Sequence, residues 1–149
     1  MELSDLRERL LAQHRHLRVQ IDELMAAQIG DPRSELEFRV ALATFTDDLA
    51  RHNREEEKLL SAVVPTLDAW GAARKVLMDD HHASQHAAQL EAVRALGDAK
   101  PFESGVRDAV ERVRRSLSEI LAHMEFEERE LIHENVLRDD IYAVDMDTE

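Results

Sequence analysis

Two stretches, His52-Asn53-Arg54-Glu55-Glu56 and His123-Met124-Glu125-Phe126-Glu127, repeat one cassette 71 residues apart, and each breaks into a helical stripe that is otherwise apolar. The second of four such stripes reads Phe38, Leu42, Phe45, Leu49, His52, Glu56, Leu59, Val63, alternating in steps of four and three without a break. That alternation follows one face of a 3.6-residue helix, and a strand would alternate every second residue. The first stripe carries Leu10, His14, Leu17, Ile21 and Leu24. A third carries Met78, His82, His86, Leu90 and Val93, and a fourth Val106, Val110, Val113, Leu117, Ile120, His123, Glu127 and Leu131. Each apolar face must find a partner, so four amphipathic helices joined by short connections predict an all-α, up-down-up-down four-helix bundle.

Breakers place the joints. Gly30-Asp31-Pro32 ends a first helix over roughly 4 to 28, and Pro65 to Gly71 separates the second from the third. The third begins near Trp70 or Ala72 and stops at Gly97, and the fourth runs from about Ser104 to about Leu137. An acidic tail, 138 to 149, follows a core spanning about 3 to 137, and the 149 residues fit a single domain.

Composition narrows the chemistry. Without cysteine there is no disulfide, thiolate metal site or cysteine nucleophile, which suits a reducing cytoplasm. A net charge of −13, with the arginines scattered among acids, disfavours nucleic acid as a partner. No segment reaches the roughly 18 apolar residues of a membrane span, and the first residues lack the basic and apolar regions of a leader. The expected protein is cytoplasmic, with no membrane partner and an oligomeric state left open.

What remains is imidazole and carboxylate on the inward faces. Residues i and i+4 lie about 40° apart around a helix, so each cassette offers two metal ligands on one face. Burying two glutamates with five histidines calls for compensating charge, because an unpaired ion taken out of water costs several kcal/mol. Two divalent cations supply that charge, and the candidate ligands are His14, His52, Glu56, His82, His86, His123 and Glu127. Imidazole with carboxylate suits iron, manganese, zinc or copper better than calcium or magnesium. His16 and His133 fall off the stripes and read as surface residues, Trp70 as a packing anchor, and Met78 and Met124 as cavity lining. Glu55, Glu57 and Glu128 read as solvated or as acceptors for imidazole N–H groups.

His14 in Leu11-Ala12-Gln13-His14, His52 with Glu56-Glu57, His82 with His86, and His123 with Glu127-Glu128 together resemble the hemerythrin-like HHE cation-binding domain, over residues 3 to 137. The resemblance implies two iron ions, oxo- or hydroxo-bridged and carboxylate-bridged. One would take His82, His86 and His123, the other His14 and His52, with Glu56 and either Glu127 or Glu128 bridging. Oxygen-carrying hemerythrins usually place an aspartate five residues after the last histidine, whereas here positions +4 and +5 are both glutamate. Glu127 is preferred because it lies about 40° from His123, against about 140° for Glu128. His81 competes with His82 for the register of the third helix, and His82 is favoured by its partner at +4.

The implied function is a non-haem di-iron protein that binds dioxygen, another small diatomic or peroxide as carrier, sensor or scavenger, in a dry pocket near Phe45, Leu49, Leu117 and Ile120. A di-iron enzyme acting on peroxide or nitric oxide, or an iron donor for iron–sulfur repair, is the alternative. A non-catalytic module stabilised by its metal is a third.

Overall fold

The computed structural model describes residues 3–61, 80, 84–85, 87–96, 104–130 and 132. Among these, every regular element is a helix: α1 (Leu3–Ala26), α2 (Pro32–Ser61), α3 (residues 87–96, with a helical pair at 84–85 before it) and α4 (Ser104–Glu130). No helix among the described residues is long and apolar enough to cross a membrane.

The short turn after α1 reverses the chain because it carries its own helix-start chemistry. The Ser34 N–H donates to Asp31 Oδ1 at 2.7 Å, while Asp31 N–H and Gly30 N–H donate to Ser34 Oγ at 3.1 and 3.0 Å. Asp31 is thus the N-cap of α2, Pro32 takes the first helical position, and the reciprocal bonds satisfy donors that have no partner inside the helix. The Ser34 bonds hold the Asp31 carboxyl below its ordinary range. A lowered carboxyl contributes stability that is complete above the unfolded value and is lost as pH falls through the folded one. Asp31→Ala is therefore expected to lower the thermal midpoint by a few degrees at neutral pH, with the gap to the unsubstituted protein closing in acid. Melting curves across the acid range check this, and coincident midpoints at neutral pH would refute the cap.

α1 packs antiparallel to both neighbours. Along α1 the residues Arg9, His14 and Gln20 meet Glu55, His52 and Asp48 of α2, in falling order. Against α4, Arg18 meets Glu128 and the Ala27 carbonyl accepts from Arg114 Nη2 at 2.9 Å. Arg114 puts a cation over the C-terminal end of α1, whose own last turn has no basic residue.

The apolar core fills the half of the bundle nearest the α1–α2 turn. Leu17, Ile21 and Leu24 pack with Phe38, Leu42, Phe45 and Leu49, and with Val106, Val110, Val113, Leu117 and Ile120. Through Leu24 on α1, Glu56 on α2 and Glu127 on α4 the anticipated stripes are the buried faces, with Met124 also enclosed, while Leu59, Val63 and Leu131 lie outside the residues whose burial is described. The four residues expected to line a dry pocket, Phe45, Leu49, Leu117 and Ile120, are packed into this core.

Two expectations are corrected. On α3 and the helical pair before it the inward residues are Gln85, Gln89, Ala92 and Leu96, whereas Leu90 and Val93, assigned to the inner stripe, are 53% and 38% exposed. Gln85 is met by Asn53 of α2, which donates to its Oε1 at 3.5 Å, a hydrogen bond that counting apolar residues cannot reveal. The fourth helix closes at Glu130, short of the expected Leu137, with Ile132 already in a bend. There the Ile132 N–H reaches back five residues to the Glu127 carbonyl at 2.7 Å, and that wider closing turn ends the helical ladder. The expectations for Met78, Trp70, His81, His133 and the tail lie outside the described residues.

Candidate metal centre

His14 stands on α1 between Leu10 and Leu17, His52 and Glu56 lie one turn apart near the end of α2, and His123 and Glu127 hold the equivalent positions on α4. Antiparallel packing of α1 against both partners brings its first half level with the last turns of the other two, so the stripe interruptions meet at one depth. All five side chains are buried, with His14 and Glu56 at 0% and Glu127 at 1% exposure.

The polar tips converge. His14 Nε2 is 3.0 Å from His52 Nε2, and His52 Nε2 is 2.9 Å from Glu56 Oε2. Glu56 Oε2 and Glu127 Oε1 each lie 3.7 Å from His14 Nε2. One ligand atom from each of His14, His52, Glu56 and Glu127 falls within 4.8 Å of all the others, a spacing at which one cation could contact several. His123 Nε2 sits 3.1 Å from Glu127 Oε1, at the edge of this group.

The outer faces of the imidazoles decide which way their lone pairs point. His52 Nδ1 is 2.5 Å from Gln13 Oε1, and Gln13 Nε2 donates to Glu55 Oε2 at 3.0 Å. A carboxylate only accepts, so the Gln13 amide turns its N–H to Glu55 and its carbonyl to His52. His52 Nδ1 must then carry the hydrogen, which leaves Nε2 with a bare lone pair toward Glu56 and His14. Arg9 holds Glu55 from the far side.

Behind His14, Nδ1 lies 3.5 Å from Glu128 Oε1, a negative charge that favours the hydrogen on that nitrogen. Arg18 grips both Glu128 oxygens in a forked pair, through Nη1 to Oε1 at 2.7 Å and through Nη2 to Oε2. Burial pushes the Glu128 carboxyl up, but the Arg18 hydrogen bond and charge, helped by His14, outweigh it and leave it lowered. The same bond raises Arg18 above its usual value, against the opposing effect of burial.

Two bare imidazole nitrogens and two carboxylate oxygens therefore crowd into one enclosed volume. All four are acceptors, and acceptors that close repel unless a cation or shared protons lie between them. A metal ion satisfies them together, and imidazole plus carboxylate is the donor set of iron, zinc and manganese. The residues present fit such an ion.

Of the seven residues expected to bind metal, the structure brings together His14, His52, Glu56 and Glu127, with His123 against Glu127. His82 and His86 lie outside the described residues. Glu128, the other candidate bridge, stands on the outer nitrogen of His14 instead of inside the cluster. Glu57 is exposed, and His16 is exposed with a 3.4 Å contact to Asp48. Gln13 and Arg18 went unnoticed in the sequence, since an amide and a guanidinium on a charged helix carry no periodic signal. Their only mark was position, one residue before and four after His14.

Neither the curated proteins nor the solved structures yielded a match to this chain. The match to a family is shorter than the resemblance over 3 to 137 anticipated: residues 2–64, which carry α1, α2, His14, His52 and Glu56, match the family model of the hemerythrin HHE cation binding domain.

Proposed function

We propose that this chain is a cytoplasmic di-iron protein that binds dioxygen or a related small oxidant inside an up-down-up-down four-helix bundle. The observation that carries the reading is the convergence of His14, His52, Glu56 and Glu127 acceptor atoms in a buried volume, across three helices. The HHE cation binding match over residues 2–64 supports the same chemistry.

His14 and His52 would hold one ion and His123 part of the shell of another, with Glu56 and Glu127 shared between them; His82 and His86 complete the proposed set. Two ferrous ions held there would supply two electrons and an open coordination position for a small oxidant. The chain's own residues do the rest. Leu10 and Leu17 flank His14 and keep bulk water from the imidazole, while Gln13 and Glu128 keep the two Nδ1 hydrogens pointing outward. The anionic carboxylates lower the net positive charge that ferrous ions would bring into a dry site.

Metal analysis with optical spectra of protein loaded with Fe(II) without air, then exposed to it, tests the reading. The expected result is close to two irons per chain and a visible band that grows in air and fades on degassing. Irreversible oxidation would shift the reading toward an enzyme acting on peroxide or nitric oxide, and failure to retain iron would overturn it.

A further inference from the structure

We infer that Gln13 and the Arg18–Glu128 pair are positioning residues that fix the tautomers of His52 and His14, and that they make the two imidazoles unequal donors: a neutral amide stands behind His52 and a carboxylate behind His14. The inference deepens the metal-site reading and rests on it.

The geometry is specific on both sides. Gln13 Oε1 stands 2.5 Å from His52 Nδ1, and the same amide is oriented by Glu55, itself held by Arg9. Glu128 stands 3.5 Å from His14 Nδ1 and is clamped by Arg18. Each imidazole has two ring nitrogens, and only the one without hydrogen can bind a cation. Without an acceptor behind it, a neutral imidazole is free to place its hydrogen on Nε2, inside the cluster, where it would block the ligand position.

The two supports differ in kind: an amide carbonyl in hydrogen-bond contact at 2.5 Å faces His52, and a carboxylate paired with Arg18 faces His14 at 3.5 Å. Gln13 is also the more exchangeable support. It lines an open groove of about 400 Å³ between α1 and α2, bordered by Arg9, His16, Asp48 and Arg51. Water in that groove can replace a shortened side chain, so an informative substitution must fill the space with apolar atoms. The four α1 residues in the scheme, Arg9, Gln13, His14 and Arg18, fall within about three turns of that helix.

The test uses full-length protein, ring-nitrogen NMR of the metal-free form at mildly alkaline pH, and cobalt(II) titration. In the unsubstituted protein both His14 and His52 are expected to carry hydrogen on Nδ1. Gln13→Leu is expected to move the His52 hydrogen onto Nε2, leave His14 unchanged, and weaken cobalt binding by about 10- to 100-fold. Glu128→Gln is expected to weaken cobalt binding while perturbing His14 alone. The swap Gln13→Glu with Glu55→Gln keeps the total charge and moves a carboxylate behind His52. It is expected to restore the His52 tautomer and bind cobalt at least as tightly as the unsubstituted protein, and it carries the test if Gln13→Leu fails to fold. A His52 tautomer and a cobalt affinity unmoved by Gln13→Leu, or a swap that leaves affinity low, would overturn the inference with the metal reading intact. No cobalt uptake by the unsubstituted protein would overturn both.

Discussion

Glu56→Gln is expected to raise the melting temperature of the metal-free protein while cutting its affinity for Fe(II) or cobalt(II) by about a hundredfold or more, beyond the effect of losing an outer partner. Glu56 has no exposure, and its Oε2 faces His52 Nε2 at 2.9 Å and His14 Nε2 at 3.7 Å. Taking a carboxylate out of water costs several kcal/mol, and nearby imidazoles repay only part of it. Glutamine keeps the shape and removes the charge, so the metal-free fold should gain stability by losing the desolvation cost of one buried carboxylate. With metal the order reverses, because the ion stabilises only the chain that binds it. Melting curves with and without cobalt, beside equilibrium dialysis, give both signs in one series. A lower metal-free midpoint with metal uptake intact would mean that Glu56 is a structural acid.

Phe45→Ala is expected to cost about 3–5 kcal/mol, much of the total of about 5–15 kcal/mol that holds a small domain folded. Phe45 is 1% exposed and among the largest wholly buried side chains, packed between the α1 stripe and α4. Truncation loses its transfer free energy and leaves a cavity that neighbouring leucines fill only partly. For a chain of this length the thermal midpoint should fall by roughly 10 °C. Urea unfolding should show a lower midpoint with an unchanged slope, and a loss under about 1 kcal/mol would mean that Phe45 does not sit in the packed core described above.

Those two positions were legible for the same reason: on α1, α2 and α4 the buried faces follow steps of four and three that any reader of the sequence can mark. Leu10, His14, Leu17, Ile21 and Leu24 are all buried, as are Phe38 through Glu56 along the second stripe. Where the period is regular and mostly apolar, burial follows from helix geometry alone. α3 shows the limit. Leu90 and Val93 look like core, yet Gln85 and Gln89 face inward, and for Gln85 an amide on another helix, Asn53, lowers the cost of burial. The early end of α4 was hidden similarly, since one backbone bond from Ile132 to Glu127 closes the helix in a stretch whose side chains could have continued it.

The acids flanking each cassette mark the division most clearly. The sequence by itself determined that one histidine and the glutamate four residues on share a face, so His52 with Glu56 and His123 with Glu127 were paired before any helix was packed. It could not choose between the acids on either side. Tertiary structure did: Glu55, one residue before Glu56, turns toward α1 and meets Gln13, whereas on α4 it is Glu128, one residue after Glu127, that turns toward α1 and meets Arg18 and His14. α2 and α4 both run antiparallel to α1 and meet it from different flanks. A step of about 100° backward on one helix and forward on the other therefore points to the same neighbour. That choice depends on which side of each helix α1 occupies, a relation between distant segments that no local spacing encodes.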